Sequence, residues 1–172
     1  MITDALVNFE PIGTNTAITN AAVRSQIYDI LGTGVGTPPA NIIGKATTFG
    51  SDQGIGGLRP QFEVLVTQAF VGGTSLNVAY QAAPDAGTPT FQPGTWTTLM
   101  ETGAIVTASL TLNQVLARFD FMPSFPANLN PRFLSLLFTP VGTFSAGTVG
   151  GIPVTMVRPD NANKFQANNY SV

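Results

Sequence analysis

The sequence predicts an all-β fold: an antiparallel two-sheet sandwich of jelly-roll type, one domain over residues 1–172, with long Gly/Pro-rich loops and an extended C-terminal tail. Three observations predict it. Apolar and polar residues alternate in several short runs, clearest from Phe62 to Ala82, and a period of two belongs to strands with one packed face. Turn-forming residues recur every ~8 to 15 positions from Arg59 onward, the spacing of a sandwich or barrel. The chain has 18 glycines and 13 prolines in 172 residues, more than the roughly 12% that is ordinary, yet its apolar content of 44% is that of a folded protein.

The elements follow in order. Residues 1–24 read as an extended lead-in, interrupted by Pro11. Between Thr14 and Leu31 two readings stand. Ile18, Ala21, Ala22 and Ile27 fit one side of a helix, whereas SQIYDIL from Ser25 alternates like a strand, and an extended segment at 26–31 is favoured. Residues 32–58, with GTGVGTPPAN and FGSDQGIGG, form a long Gly-rich insertion with no regular element.

Next, Phe62, Val64 and Val66 alternate with Glu63, Leu65 and Thr67, and Gly72 and Gly73 break the run. Leu76, Val78 and Tyr80 then alternate with Asn77, Ala79 and Gln81. Two such strands across a glycine turn predict a β-hairpin. PDAGTPTFQPG from Pro84 is turn-rich, and WTTLM at Trp96 is a short strand. Val115, Ala117, Phe119 and Phe121 share one face of another. After Pro123, Pro126 and Pro131, RFLSLLFTP is apolar on both sides and therefore central. Strands near Val141–Ser145 and Ile152–Arg158 flank SAGTVGG, and residues 159–172 are a polar tail. About eight short strands suit a jelly roll, and no fixed-period repeat points to a propeller or solenoid.

The residue types restrict the chemistry. The chain has no cysteine and no histidine, which removes disulfides, the commonest zinc ligands and every Ser-His or Cys-His nucleophile pair. Seven Lys and Arg, scattered singly, make no basic patch for nucleic acid. No apolar run approaches the ~20 residues of a membrane span, and the start MITDALVNFEP lacks the basic and apolar regions of a secretory signal. The protein is expected to be made and kept in the cytosol, or to end up in a particle assembled there. GTGVG at Gly32–Gly36 departs from a phosphate-binding loop in spacing and leads into Thr37-Pro38-Pro39 instead of a helix.

Three weaker constellations remain. Paired carboxylates can hydrolyse glycosides without histidine, but Glu63 and Asp120 on strands, and Asp52, Asp85 and Asp160 in loops, read as surface or turn residues. Asp160, Asn161 and Asn163 miss the calcium-loop spacing because Ala162 intervenes. Trp96 with Tyr80 and Phe91 would make a sugar-stacking platform; core packing of Trp96 is the plainer reading. No catalytic residue, metal or cofactor is expected.

Charged residues are only 9% of the chain, with a net charge of −2, where about 25% is ordinary. A surface that repels its neighbours so weakly suits an assembled state, and suits a neutral soluble β-domain equally well.

Several landmarks carry a family resemblance. The chain opens with Met1, Ile2, Asp4 and Ala5; SQIYDILG follows a variable region; GGTSLNVAYQ leads an alternating strand that ends in glutamine. TGAIVTASLTL comes next as a small-residue strand, then PRFLSLLF, and finally NNYSV at the tail. In this order the chain resembles the jelly-roll capsid cement, or decoration, proteins of tailed bacteriophages. It departs from them in residues 33–58, a long insertion, and in RPDNANKF before the tail.

The resemblance implies a non-enzymatic homo-oligomer, dimer or trimer, that docks on the outer face of a capsid. It would bridge joints between major capsid protein subunits of a virion made in the host bacterial cytoplasm. Contacts with the capsid are expected from the lead-in (Ile2, Phe9), the insertion (Ile42, Ile43, Phe49, Ile55, Leu58) and the tail (Phe165, Tyr170, Val172). The alternative expectation is a carbohydrate- or host-binding β-sandwich of a phage particle.

Overall fold

The computed structural model describes residues 2–10, 14–30, 59–87, 92–121, 123–150 and 152–157, with 2–8, 59, 60 and 153–157 as backbone. The strands are β1 (Ile2–Asn8), β2 (Asn15–Ala17), β3 (Val23–Arg24), β4 (Tyr28–Asp29), β5 (Arg59–Gly72) and β6 (Ser75–Ala83). They continue with β7 (Thr97–Glu101), β8 (Ile105–Val106), β9 (Val115–Asp120), β10 (Phe133–Val141), β11 (Phe144–Gly150) and β12 (Pro153–Val157). The one helical turn among the described residues is a 3-10 turn at Thr107–Ser109. Every strand pair is antiparallel.

The strands form two sheets. The first runs β1-β12-β5-β11-β2, with β9 on the free side of β5; the second runs β3-β10-β6-β7, with β4 also on β10 and β8 also on β6. Several neighbours are pieces of one interrupted strand. β12 and β11 pair in turn along one side of β5, and β1 and β2 lie on their far side. An all-β antiparallel sandwich is thus the architecture; residues 14–30 hold no helix, and the extended reading favoured for 26–31 is found over its described part, 26–30.

Alternation sets the core. Phe62, Val64 and Val66 on β5 are fully buried, as are Leu76, Val78 and Tyr80 on β6. The two sheets meet through aromatic rings. Phe9 lies 4.8 Å from Phe62 and 5.7 Å from Tyr80, ring centre to ring centre. Phe62 and Tyr80 are 5.0 Å apart, near-perpendicular, an arrangement that aromatic quadrupoles favour. The buried Tyr80 hydroxyl donates to the Phe121 carbonyl at 2.6 Å, so its polar end is satisfied. At the other end Phe70 and Phe144 pack edge to face at 5.0 Å.

The predicted hairpin is not one. β5 belongs to the first sheet and β6 to the second; the chain crosses the core at Gly72-Gly73 instead of pairing back on itself. β10 and β11 cross in the opposite sense at Gly142. The two corners interlock: Thr74 N–H donates to the Val141 carbonyl at 2.7 Å. A Cβ on Gly142 would lie 3.1 Å from Gly73 Cα, and one on Gly73 would lie 2.5 Å from the Phe144 ring. Gly72, Gly73 and Gly142 all have positive φ, at 79°, 59° and 81°, which glycine adopts at little cost.

Other expectations need correction. The strand expected near Val141–Ser145 is instead the corner after β10, and SAGTVG lies in strand β11. TGAIVTASLTL is strand only at Ile105–Val106 before turning. RFLSLLFTP is central as expected, with β6 on one side and β3 and β4 on the other.

Gly73→Ala combines a left-handed backbone, costing about 1–2 kcal/mol, with a clash on Phe144. Gly103 also has positive φ, at 70°, but a Cβ there meets nothing within 4 Å. Urea unfolding of both variants should therefore rank them, with Gly73→Ala less stable than Gly103→Ala by about 2 kcal/mol. Equal losses would show that the corner tolerates a side chain.

Candidate functional site

The strand pairing gives the sandwich two unlike ends. At one end lie the glycine corners, with short connections. At the other, Ile2 pairs with Met156 and Arg59 with Val157, while Ile30 N–H donates to the Arg132 carbonyl and Arg132 N–H to that of Ala83. The chain enters β1, leaves β4, re-enters at β5 and leaves β12 all at this second end. It is locked there by Arg132. Its guanidinium donates twice to the Asp29 carboxylate, at 3.0 and 2.9 Å, and once to Asp85 at 2.6 Å. One side chain thus ties the ends of β4, β6 and β10.

Asp85 is held further by the Gly87 N–H at 3.0 Å, an Asx turn as the sequence suggests. That bond, and then Arg132, lower the Asp85 carboxyl below its ordinary range. Asp29 and Asp85 are the acids the fold brings together, and the sequence did not pair them. A glycosidase acid needs a raised carboxyl; that of Asp85 is lowered, and one arginine is bonded to both acids. Glu63 is paired with Arg118 at 2.6 Å, and Asp120 accepts from Gln61 at 2.7 Å. Asp52 and Asp160 lie outside the described residues.

On the outer face of the second sheet a polar chain runs from edge to edge. Arg24 of β3 donates to the buried Gln81 of β6 at 2.8 Å, and Gln81 donates to Thr98 of β7 at 3.0 Å. The Arg24 guanidinium lies 4.0 Å from the centre of the Trp96 ring. The sugar-stacking platform is therefore not formed by Trp96 and Tyr80. Tyr80 is fully buried in the core, whereas Trp96 is half-buried and already stacked on a cation. Phe91 lies outside the described residues. The sequence missed this arrangement because Arg24 and Trp96 are far apart in the chain.

The expected contact residues are placed unevenly. Phe9 is fully buried among Phe62, Tyr80 and Phe121, so its ring belongs to the core and is not free for a partner. Ile2 opens β1, paired with Met156, and its side chain is not described. Ile42, Ile43, Phe49, Ile55, Leu58, Phe165, Tyr170 and Val172 lie outside the described residues, as does GTGVG.

No protein-family model matches the chain, and no curated protein matches it.

The Arg132 clamp has a definite pH dependence. A depressed carboxyl stabilises the fold above its unfolded pKa of about 3.9 and loses that stabilisation as pH falls through the lower, folded value. Thermal melts of the wild type should therefore decline in midpoint below pH ~4. Asp85→Asn should melt lower at pH 7 and close part of the gap at pH 3; a constant gap across this range would separate the clamp from the acid response.

Proposed function

We propose that the chain is a capsid cement protein of a tailed bacteriophage, a non-enzymatic jelly roll that docks on the outside of the shell across major capsid protein joints. The fold part of the proposal is supported by the pairing order. Joining the interrupted pieces gives eight strands in chain order: β1/β2, β3/β4, β5, β6, β7/β8, β9, β10 and β11/β12. Strand one pairs with eight, two with seven, three with six and four with five. That is the pairing of one long hairpin, and rolling it up adds the contacts of β5 with β11 and β12, and of β10 with β6. This pairing order supports the jelly-roll reading.

The observation that carries the functional part is the convergence at one end. Ile30 and Arg59, which border the insertion, and Val157, which precedes the tail, sit at the Arg132 end together with Ile2 at the start of β1. The lead-in, the insertion and the tail are the segments in which the sequence puts its contact residues. A body whose insertion and tail are both joined to it at one end suits a clasp: each segment would bind modestly, and tethering several to one body multiplies the gain. Repeated interfaces of ~800 Å² per partner then stiffen a shell without any catalytic group. The low charge fits a protein crowded against copies of itself.

Co-sedimentation with capsids of the phage that encodes the chain tests this. The full chain should pellet with mature capsids at saturating stoichiometry. A form ending at Val157 should bind at least tenfold more weakly while retaining its β-sheet circular dichroism. Absence of the full chain from the capsid pellet would overturn the reading.

A further inference from the structure

We propose that Arg24, held over the Trp96 ring, is a docking point for a carboxylate side chain of a partner protein. Three arginine side chains are described. Arg118 is paired with Glu63 and Arg132 with both Asp29 and Asp85. Arg24 has no carboxylate. Its Nη2 is spent on the Gln81 amide oxygen, and its Nη1 is buried with no hydrogen-bond partner.

The described acids cannot supply the missing charge. Glu10 accepts from the Thr16 hydroxyl at 2.6 Å, and Asp120 from Gln61. Glu101 stands in the same cross-strand row as Arg24, three strands away through Leu137 and Ala79. It accepts from Asn77 at 3.0 Å instead. A desolvated guanidinium without a counter-ion is a strained arrangement in a folded protein, because burial favours the neutral form and an unmade hydrogen bond is lost outright. Burial indeed lowers the pKa of the Arg24 guanidinium from its usual value.

The surroundings suit a carboxylate rather than a neutral group. Stacking on the indole fixes the guanidinium plane and leaves its edge as the donor side, the geometry in which arginine grips a carboxylate. Arg24 and Trp96 are each only partly buried and Thr98 is exposed, so the site borders solvent, and docking requires Nη1 to turn outward from its buried position. The partner needs an Asp or Glu on a surface flat enough to meet the outer face of the second sheet. The assembly reading above supplies only the identity of that partner; the carboxylate site stands on Arg24 alone.

Trp96 is the chain's single tryptophan, so its fluorescence reads the site directly. The full chain is titrated at low salt with a capped tetra-glutamate peptide, and in parallel with capped tetra-glutamine and with glucuronate. Tetra-glutamate should give a saturable change in Trp96 emission, at least tenfold tighter than tetra-glutamine and weakened by added salt. Arg24→Gln should reduce the affinity at least tenfold, whereas Arg118→Gln should leave it unchanged. No saturable response to tetra-glutamate, or an equal one to tetra-glutamine, overturns the proposal, and that comparison needs no variant. Glucuronate binding more tightly than the peptide overturns the protein partner in favour of an acidic sugar. Because no capsid is present, a negative result here is distinct from a failure to co-sediment.

Discussion

Two backbone corners touch where no side chain can stand, and the sandwich depends on that contact. Gly73 faces the Phe144 ring, Gly142 faces Gly73, and Thr74 is hydrogen-bonded to Val141 across the gap. The corners turn β5 into β6 and β10 into β11, four strands that lie inside their sheets. Sheets pack about 10 Å apart, so the separation fixed at the corners sets the depth of the core. Phe62, Tyr80 and Phe119 fill that depth further along, with centroid distances of 5.0 to 5.9 Å.

Much of this was legible in the sequence. The alternation at Phe62–Thr67 and Leu76–Gln81 placed inward and outward faces correctly, and the two-sided apolar run at Phe133 marked a central strand. Alternation could not tell a hairpin from a crossing, because a strand looks inward in the same way whether its chain neighbour lies beside it or opposite. A hint was present: β6 buries Ala79, Gln81 and Ala83 on its outer side as well, which an edge strand of a simple hairpin does not need. SAGTVGG was misread because glycine usually means a loop. Here Gly147 makes room for the Phe70 ring and Gly150 for Asn15 and the Thr14 carbonyl, requirements set by residues distant in sequence. The Arg132 clamp and the Arg24 stack were invisible for the same reason.

The motifs behind the family resemblance act as joints. In SQIYDILG, Ser25 interrupts its strand and its hydroxyl accepts the Leu136 N–H at 2.9 Å. In TGAI, the Thr102 hydroxyl accepts the Val78 N–H at 3.1 Å beside left-handed Gly103. GGTSL makes the corner, and PRF supplies Arg132. These pieces specify how the chain turns and is tied, so they speak for a common fold more directly than for a common partner. What meets a partner is a separate matter of the two ends and the outer faces.

The strand order also has a cost in time. β6 with β7 and β8 is the one pairing in which chain neighbours lie side by side; elsewhere partners are distant, and β1 pairs with nothing but β12, Ile2 against Met156. Folds dominated by such remote pairings form slowly. At the usual pace of synthesis, roughly 5–20 residues per second, the first strand waits about 10 to 30 seconds for its partner to be made. Until then it is a bare edge in a crowded cell, and a chain so poor in charge has little repulsion to keep its copies apart.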